Sequence, residues 1–443
     1  MADRPSKRTV VAIWLGWTVI ILAYQALIPA RLSLQRPDRA LAWTAAETSA
    51  GSQDGKIYLN EPFLNRHVSW DSEYYLAIAV GSYEDSNIRR VGDSWVSTGG
   101  GFWPFVIPEA AGGARQGISL SYAFFPFYPF VIRVLSVPLS LLGLNAIATA
   151  TLAGVMVSLL GTLAATLALF ELGRTDTSAA LSTTSGEEGG LRAAFYLLIF
   201  PSSFFLAQVY TEGLFVGLAF SSLLLLRRRH LGASAALAVL ATFTRAAGVA
   251  LAIPLLLSWL REGEWIEMDL EWRQIYFKGL PWPAIGRALV VLAPVLAFLL
   301  WRVSYYGMAF SRVEAEYFGR GLLSLGYTYA AWSDAFRSLF GSNPQAAAYY
   351  AVEFGAILLG FVACIAGLRR HPDLAWFGLL LIFLSFTSGP AQGMHRYVLG
   401  APPVFLFLSR LGQNPTFDCL WTIASILIMG MMATMFMFDM WAG

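Results

Sequence analysis

The sequence predicts an all-α protein, a polytopic bundle of membrane-spanning helices with a large first loop outside the cytoplasm. Three observations carry that expectation. Of the 443 residues, 57% are hydrophobic and only 13% are charged, whereas soluble domains average about 45–50% and about 25%. The mean hydropathy is +0.58. The apolar residues also fall into separate runs, several near the roughly 20 residues that cross a bilayer, with short basic clusters beside them.

The first run, Val10 to Pro29, follows Arg4, Lys7 and Arg8 and is not followed by a small-residue cleavage site. It reads as a retained first span, with a cleaved signal peptide as the alternative. Further runs lie near 122–143, 147–171, 192–208, 211–226, 231–244, 248–260, 285–306, 349–368, 374–389, 397–410 and 418–440. The clusters Arg227-Arg228-Arg229-His230 and Arg369-Arg370-His371 belong in the cytoplasm by the positive-inside rule. The chain then divides into a first span (1–30), an extracytoplasmic loop (31–116), a transmembrane module (117–260), a cytoplasmic loop (261–284) and C-terminal spans (285–443). Alternation leaves one conflict. The motifs Phe125–Pro129 and Tyr210–Glu212 both look like outer-face motifs, yet an odd number of apolar segments separates them, so one segment must be bent, re-entrant or interfacial. The Gly/Ser/Thr-rich stretch 173–190 reads as a polar, disordered linker.

Composition also excludes function classes. A net charge of +2 is too small for a nucleic-acid partner. Cys364 and Cys419 form no metal-spaced pair and no disulfide framework. No phosphate-cradling glycine loop, zinc spacing or Asp-X-Asp pattern is present. The expected site therefore holds no metal and no cofactor.

Five constellations are able to carry chemistry. In Trp70-Asp71-Ser72-Glu73, Asp71 precedes a short amphipathic stretch. It serves either as a helix cap or as a base that takes a hydroxyl proton. Phe125, Pro126 and Tyr128 in the run Phe124 to Pro129 read as an interface belt or as an aromatic wall for a lipid chain or sugar face. Gln208, Tyr210, Thr211 and Glu212 sit between apolar runs, where an acidic residue usually faces a cavity or a partner. Arg245 interrupts an apolar stretch. Its fork of donors suits a lipid phosphate, and a structural pair with Glu212 is equally open. His395 and Arg396, in an outer turn opened by Gly389-Pro390, add a second positive group.

Taken in order, Trp70-Asp71, Phe124-Phe125-Pro126 with Pro129, Pro201-Ser202 with Tyr210-Thr211-Glu212, and Arg245 with Gly248 resemble the GPI mannosyltransferase II family (PIG-V type) and its bacterial relatives, within the GT-C superfamily. The resemblance is best over about 67–260. It implies a GT-C bundle and an inverting mannosyl transfer from polyprenyl- or dolichyl-phosphate mannose to a glycolipid or other hydroxyl acceptor, on the extracytoplasmic face. It also implies Asp71 as base, supported by Glu73. Arg245 and Arg396, with His395, would hold the donor phosphate. Glu212, Gln208 and Tyr210 would line the sugar site, and Trp70, Phe125, Pro126 and Tyr128 the apolar wall. The host membrane would be the plasma membrane of a prokaryote or the endoplasmic reticulum of a eukaryote. Two features depart from the family: Ser69 stands where a basic residue usually precedes Trp-Asp, and residues 86–116 form an insertion. The rival class is a lipid or small-molecule transporter, against which stands the lack of repeated halves.

Overall fold

The structure is a computed structural model that describes residues 6–91, 117–175, 183–262, 266–269, 274–277 and 282–443. Most of these residues lie in helices, because long runs of Leu, Ala, Val and Phe in lipid can satisfy their backbone groups only internally. Helix α1 (Lys7–Leu27) enters the first loop, which carries a short helix, α2 (Ser72–Gly81). A two-residue ladder, β1 (Arg90–Val91) with β2 (Ile118–Ser119), leads to α3 (Phe127–Leu139). Then follow α4 (Ala146–Arg174), α5 (Thr183–Ile199), α6 (Thr211–Arg227), α7 (Leu231–Thr244) and α8 (Ala252–Glu262). The hairpin β3 (Ile266–Asp269) and β4 (Gln274–Phe277) precedes α9 (Trp282–Val303). The loop helices α10 (Tyr305–Glu316) and α11 (Leu325–Ser338) come next. The chain continues with α12 (Pro344–Gly367), α13 (Pro372–Phe386), the short α14 (Met394–Val398), α15 (Pro402–Leu411) and α16 (Pro415–Met437). Five of the described helices are long and apolar enough to cross a membrane: those at 7–30, 146–174, 286–303, 344–367 and 415–437.

The bundle has two chemically distinct faces. At one, Lys7 and Arg228 both reach Glu171 (3.3 and 3.1 Å), and Arg227 pairs with Asp373 at 3.0 Å and meets His371. Both basic clusters singled out from the sequence thus lie together on this basic face. At the other, the loop face, the first loop packs against the ends of several helices. Val209 N–H donates to His67 O at 3.0 Å, and Ser69 Oγ donates to Asp439 Oδ1 at 2.9 Å.

These contacts resolve the odd segment. Both ends of α3 lie on the loop face: Tyr83 donates to Phe124 O (2.8 Å), and Asn145, just past the helix, donates to Glu61 (2.8 Å). Midway, Arg133 caps the end of α2 through the carbonyls of Ile78 and Ala79. One side is packed through Tyr128 and Ile132, while Phe130, Val134, Val137 and Leu141 are exposed, the pattern of a helix lying in an interface rather than crossing. With α3 set aside, α4 runs from the loop face to Glu171, and α5 returns to the loop face. The helix α6 then descends from Glu212 to the arginine cluster.

Two of the sequence expectations need correction here. The stretch 173–190 is not all linker: α4 continues to Arg174 and α5 begins at Thr183, leaving 176–182 outside the described residues. The run 192–208 does not continue as one helix, because α5 stops at Ile199 before Pro201 and a 3-10 turn covers Ser203–Ala207. Most of the insertion at 86–116 also lies outside the described residues.

Helices α4 and α6 are packed at backbone contact. A Cβ added at Gly161 would strike the backbone of Gly213, and one at Gly217 would strike that of Gly161. Small residues allow this approach between membrane helices. The contact fixes the start of α6, and with it the position of Glu212.

Candidate active site

The turn carrying Asp71 is held from three directions. Trp70 has φ +53°, a left-handed conformation that costs a non-glycine residue roughly 1–2 kcal/mol. Packing compensates: the Trp70 indole donates to Met440 O at 3.3 Å and stands edge-on to Trp43 and Trp441. The hydroxyl of Tyr210 donates to Ser69 O at 3.1 Å and accepts from Asp71 N–H at 3.2 Å. Asp71 occupies the cap position of α2, yet its side chain makes no capping bond. The first amides of the helix find carbonyls instead, Ser72 N on Ser69 O and Glu73 N on Trp70 O. The carboxylate is therefore free to turn elsewhere, and it turns to Arg396 Nη1, 3.3 Å away.

Arg396 links two acids. The same Nη1 lies 3.5 Å from Glu212 Oε1, and Glu212 Oε1 accepts from Arg245 Nη1 at 2.8 Å. The cluster thus runs Asp71, Arg396, Glu212, Arg245, with the side chain of Glu212 1% exposed and that of Asp71 27% exposed. Aromatic faces line the cations: Arg396 lies over Phe205 and Tyr210, and Arg245 lies 4.3 Å above the Tyr397 ring. Two polar atoms remain buried and unpartnered, Glu212 Oε2 and Arg396 Nε. A buried acceptor and a buried donor left open in one cluster are positioned for a polar ligand.

Three further residues belong to this site and were not singled out as site residues from the sequence. Arg320 donates to the Tyr397 hydroxyl at 2.9 Å. Burial pushes the Glu314 carboxyl up to about 7; Arg320 opposes the rise and Asp71 adds to it. The loop pattern around Glu314 and Arg320 is that of any solvated segment and offers no signal. Glu353 differs: it is buried in α12, accepts from Tyr349 and from the amides of Gly393 and His395, and so sets the turn that presents Arg396. An acidic residue inside an apolar run is the signal that could have found it.

Other expected residues lie apart from the cluster. Glu73, two positions along α2 from Asp71, points away from it, and burial raises its carboxyl to about 7 against the opposing charge of Lys56. Gln208 donates to Phe204 O and is fully buried. His395 faces Glu353 at 3.9 Å, beside Phe205. Tyr128 is a core residue, bonded to Gly154 O and Ser158. Phe125 packs between Trp301 and Phe310, Pro126 is partly buried, and Trp70 is taken up by its tryptophan cluster. In place of an open aromatic wall at 124–128, these side chains pack against α2, α4, α9 and α10. Tyr210 alone of the expected sugar-site residues besides Glu212 touches the cluster, beneath Asp71 and Arg396.

Glu314 gives a pH-dependent expectation. Its carboxyl is largely neutral below pH 7 and ionises above it, which adds negative charge next to Asp71 and offsets Arg320. Binding of an anionic ligand to the cluster should therefore weaken several-fold from about pH 6 to about pH 8. Glu314→Gln should flatten that slope; isothermal binding of a lipid phosphate across the range measures it.

Over its central part, this multi-pass helical bundle is similar to a family of glycosyl-transferring enzymes. More particularly, residues 113–274 match the family model described as mannosyltransferase (PIG-V). The match includes the motifs from Phe124 to Gly248 and bears out the resemblance read from the sequence, while Trp70-Asp71 falls outside it. No curated protein matches the chain. Among solved structures, the Archaeoglobus fulgidus oligosaccharyltransferase in complex with Zn and sulfate aligns at 14% identity and a TM-score of 0.38, covering 74% of this chain and 46% of that one. The archaeal oligosaccharyltransferase AglB from the same organism, bound to an inhibitory peptide and a dolichol-phosphate, aligns at 13% identity and a TM-score of 0.40, covering 96% and 56%. The chain spans about half the length of each.

Proposed function

We propose that the protein transfers a mannosyl group, with inversion, from a polyprenyl- or dolichyl-phosphate donor to a hydroxyl acceptor on the extracytoplasmic face. The observation that supports it is the continuous Asp71–Arg396–Glu212–Arg245 cluster, which sets a carboxylate beside guanidinium groups suited to a phosphate. The acceptor oxygen attacks C1 and its proton passes to Asp71. The bond from C1 to the phosphate oxygen breaks, and its electron pair leaves with the lipid phosphate toward Arg245 and Arg396. Glu212 Oε2 and Arg396 Nε, both open, are placed to meet a sugar hydroxyl and a phosphate oxygen. The loop face lies opposite the basic clusters, which by the positive-inside rule supports an extracytoplasmic site.

The test is an assay of purified protein in vesicles with radiolabelled polyprenyl-phosphate mannose and mixed lipid acceptors. Label should move covalently onto an acceptor. Passage of labelled lipid across the bilayer with no new glycosidic bond would replace this reading with transport.

A further inference from the structure

A groove of about 600 Å³ runs between α11 and the end of α13. Its walls include Leu325, Thr328, Trp332, Phe336, Phe386 and Thr387. Trp332 and Phe386 stack at 4.7 Å to form the floor, while Leu325, Tyr329 and Phe336 are more than half exposed along the rim. Thr328 is 4% exposed, and its hydroxyl is buried without a partner. Large aromatic side chains left open on a loop-face helix are costly in water and mark contact with lipid or an apolar ligand. The volume falls within the range of sites that enclose a small molecule or part of a longer one.

What singles out an occupant is where the groove leads. Thr387, on its wall, accepts from Ser324 N–H at 2.9 Å, and the adjacent Ser388 accepts from Gly321 N–H at 2.8 Å. Those bonds clamp the segment 321–324 onto the end of α13, directly after Arg320. Arg320 in turn reaches Tyr397, whose ring lies under Arg245. An apolar channel is thereby tied, through one short loop, to a group of guanidinium side chains. The complementary molecule has a long apolar chain and an anionic head.

We propose that this groove binds the isoprenoid chain of the lipid-phosphate donor, and that Arg320 receives its phosphate as a third cation beside Arg245 and Arg396. The assignment rests on the donor class proposed above. It explains why α11, an amphipathic helix rich in exposed aromatic residues, is held against the bundle at the level of the site. It also accounts for Tyr397, whose hydroxyl holds the Arg320 guanidinium in place until a phosphate oxygen displaces it.

The test is photolabelling of the intact protein in vesicles with a diazirine-bearing polyprenyl phosphate, followed by mapping of the labelled peptides. Label should fall on 325–336 and 386–387, and unlabelled polyprenyl phosphate should displace it while polyprenol and bulk phospholipid should not. Label displaced equally by phospholipid identifies an annular lipid contact and overturns the proposal. Label on other helices also overturns it, and continued mannosyl transfer in that preparation leaves the donor class standing. Specific labelling of the groove without transfer from any lipid-phosphate sugar keeps the groove and removes the transferase reading instead. A paired measurement uses Tyr329→Glu with Phe336→Glu on the exposed rim. KM should rise about tenfold for a long-chain donor, a loss of one factor of ten in apparent affinity, with kcat unchanged and a ten-carbon donor unaffected. Equal effects on both donors overturn the assignment. For Arg320→Ala the loss should appear with both chain lengths, and Arg320→Lys should restore part of it.

Discussion

Asp71→Asn is expected to abolish glycosyl transfer while leaving the fold intact. A positioned base contributes roughly 10²–10⁴ to rate, and the carboxamide cannot accept the hydroxyl proton. The structural cost should be small. The Asp71 side chain makes no cap bond to α2, and its one ion pair among the described residues is to Arg396, which keeps Glu212 as a second partner. The backbone bond from Asp71 N–H to Tyr210 is unaffected by the change. Turnover should thus fall by about three orders of magnitude, with the thermal unfolding midpoint close to that of the parent. Near-normal turnover in the purified variant would remove Asp71 as base. A variant that loses activity only by unfolding would reduce it to a structural residue.

The second large effect is on stability. Glu212→Gln removes the single negative charge that touches both Arg245 and Arg396, in a place where all three side chains are largely buried. Breaking a buried ion pair from one side costs about 3–5 kcal/mol, because the remaining charge has no compensation. Here Arg245 loses its acidic partner while Arg396 keeps Asp71 at 3.3 Å, so the loss should fall within that range. Unfolding in detergent, followed by tryptophan fluorescence, measures it. The double variant Glu212→Gln with Arg245→Met should recover part of the loss, since one uncompensated charge is gone. An unchanged midpoint in the single variant would show that the pair is solvated and that the cluster is not a rigid unit.

The bundle was legible in the sequence because lipid leaves a chain few options. Each of the twelve apolar runs contains a helix in the structure, and the clusters at Arg227 and Arg369 fall on one face. The interfacial placement of α3 was not legible, since its mean hydropathy matches that of a crossing helix and only contacts such as Arg133 with Ile78 and Ala79 reveal its course. For the site, Glu212 and Arg245 stood out as charges among apolar neighbours, Asp71 as an acid before a short helix and Arg396 as a positive group in a turn, and the structure brings all four into one cluster. Arg320 and Glu314 did not stand out, because polar residues in a polar loop carry no local signal of the partner 77 positions away that Arg320 meets in Tyr397. Glu73 illustrates the reverse error. Proximity in sequence to Asp71 puts it on the opposite side of a helical turn.

The clasp between the Asp71 turn and the end of α16 has a bearing on biogenesis. Ser69 and Trp70 are bonded to Asp439 and Met440, 370 positions downstream, and Trp441 N–H reaches Asp38. Contacts so distant along the chain form late. During synthesis, the ribosome would have delivered almost every other helix before the strained Trp70 backbone acquires the neighbours that hold it. Until residues 439–441 have been added, the turn at Asp71 lacks the contacts that fix its course.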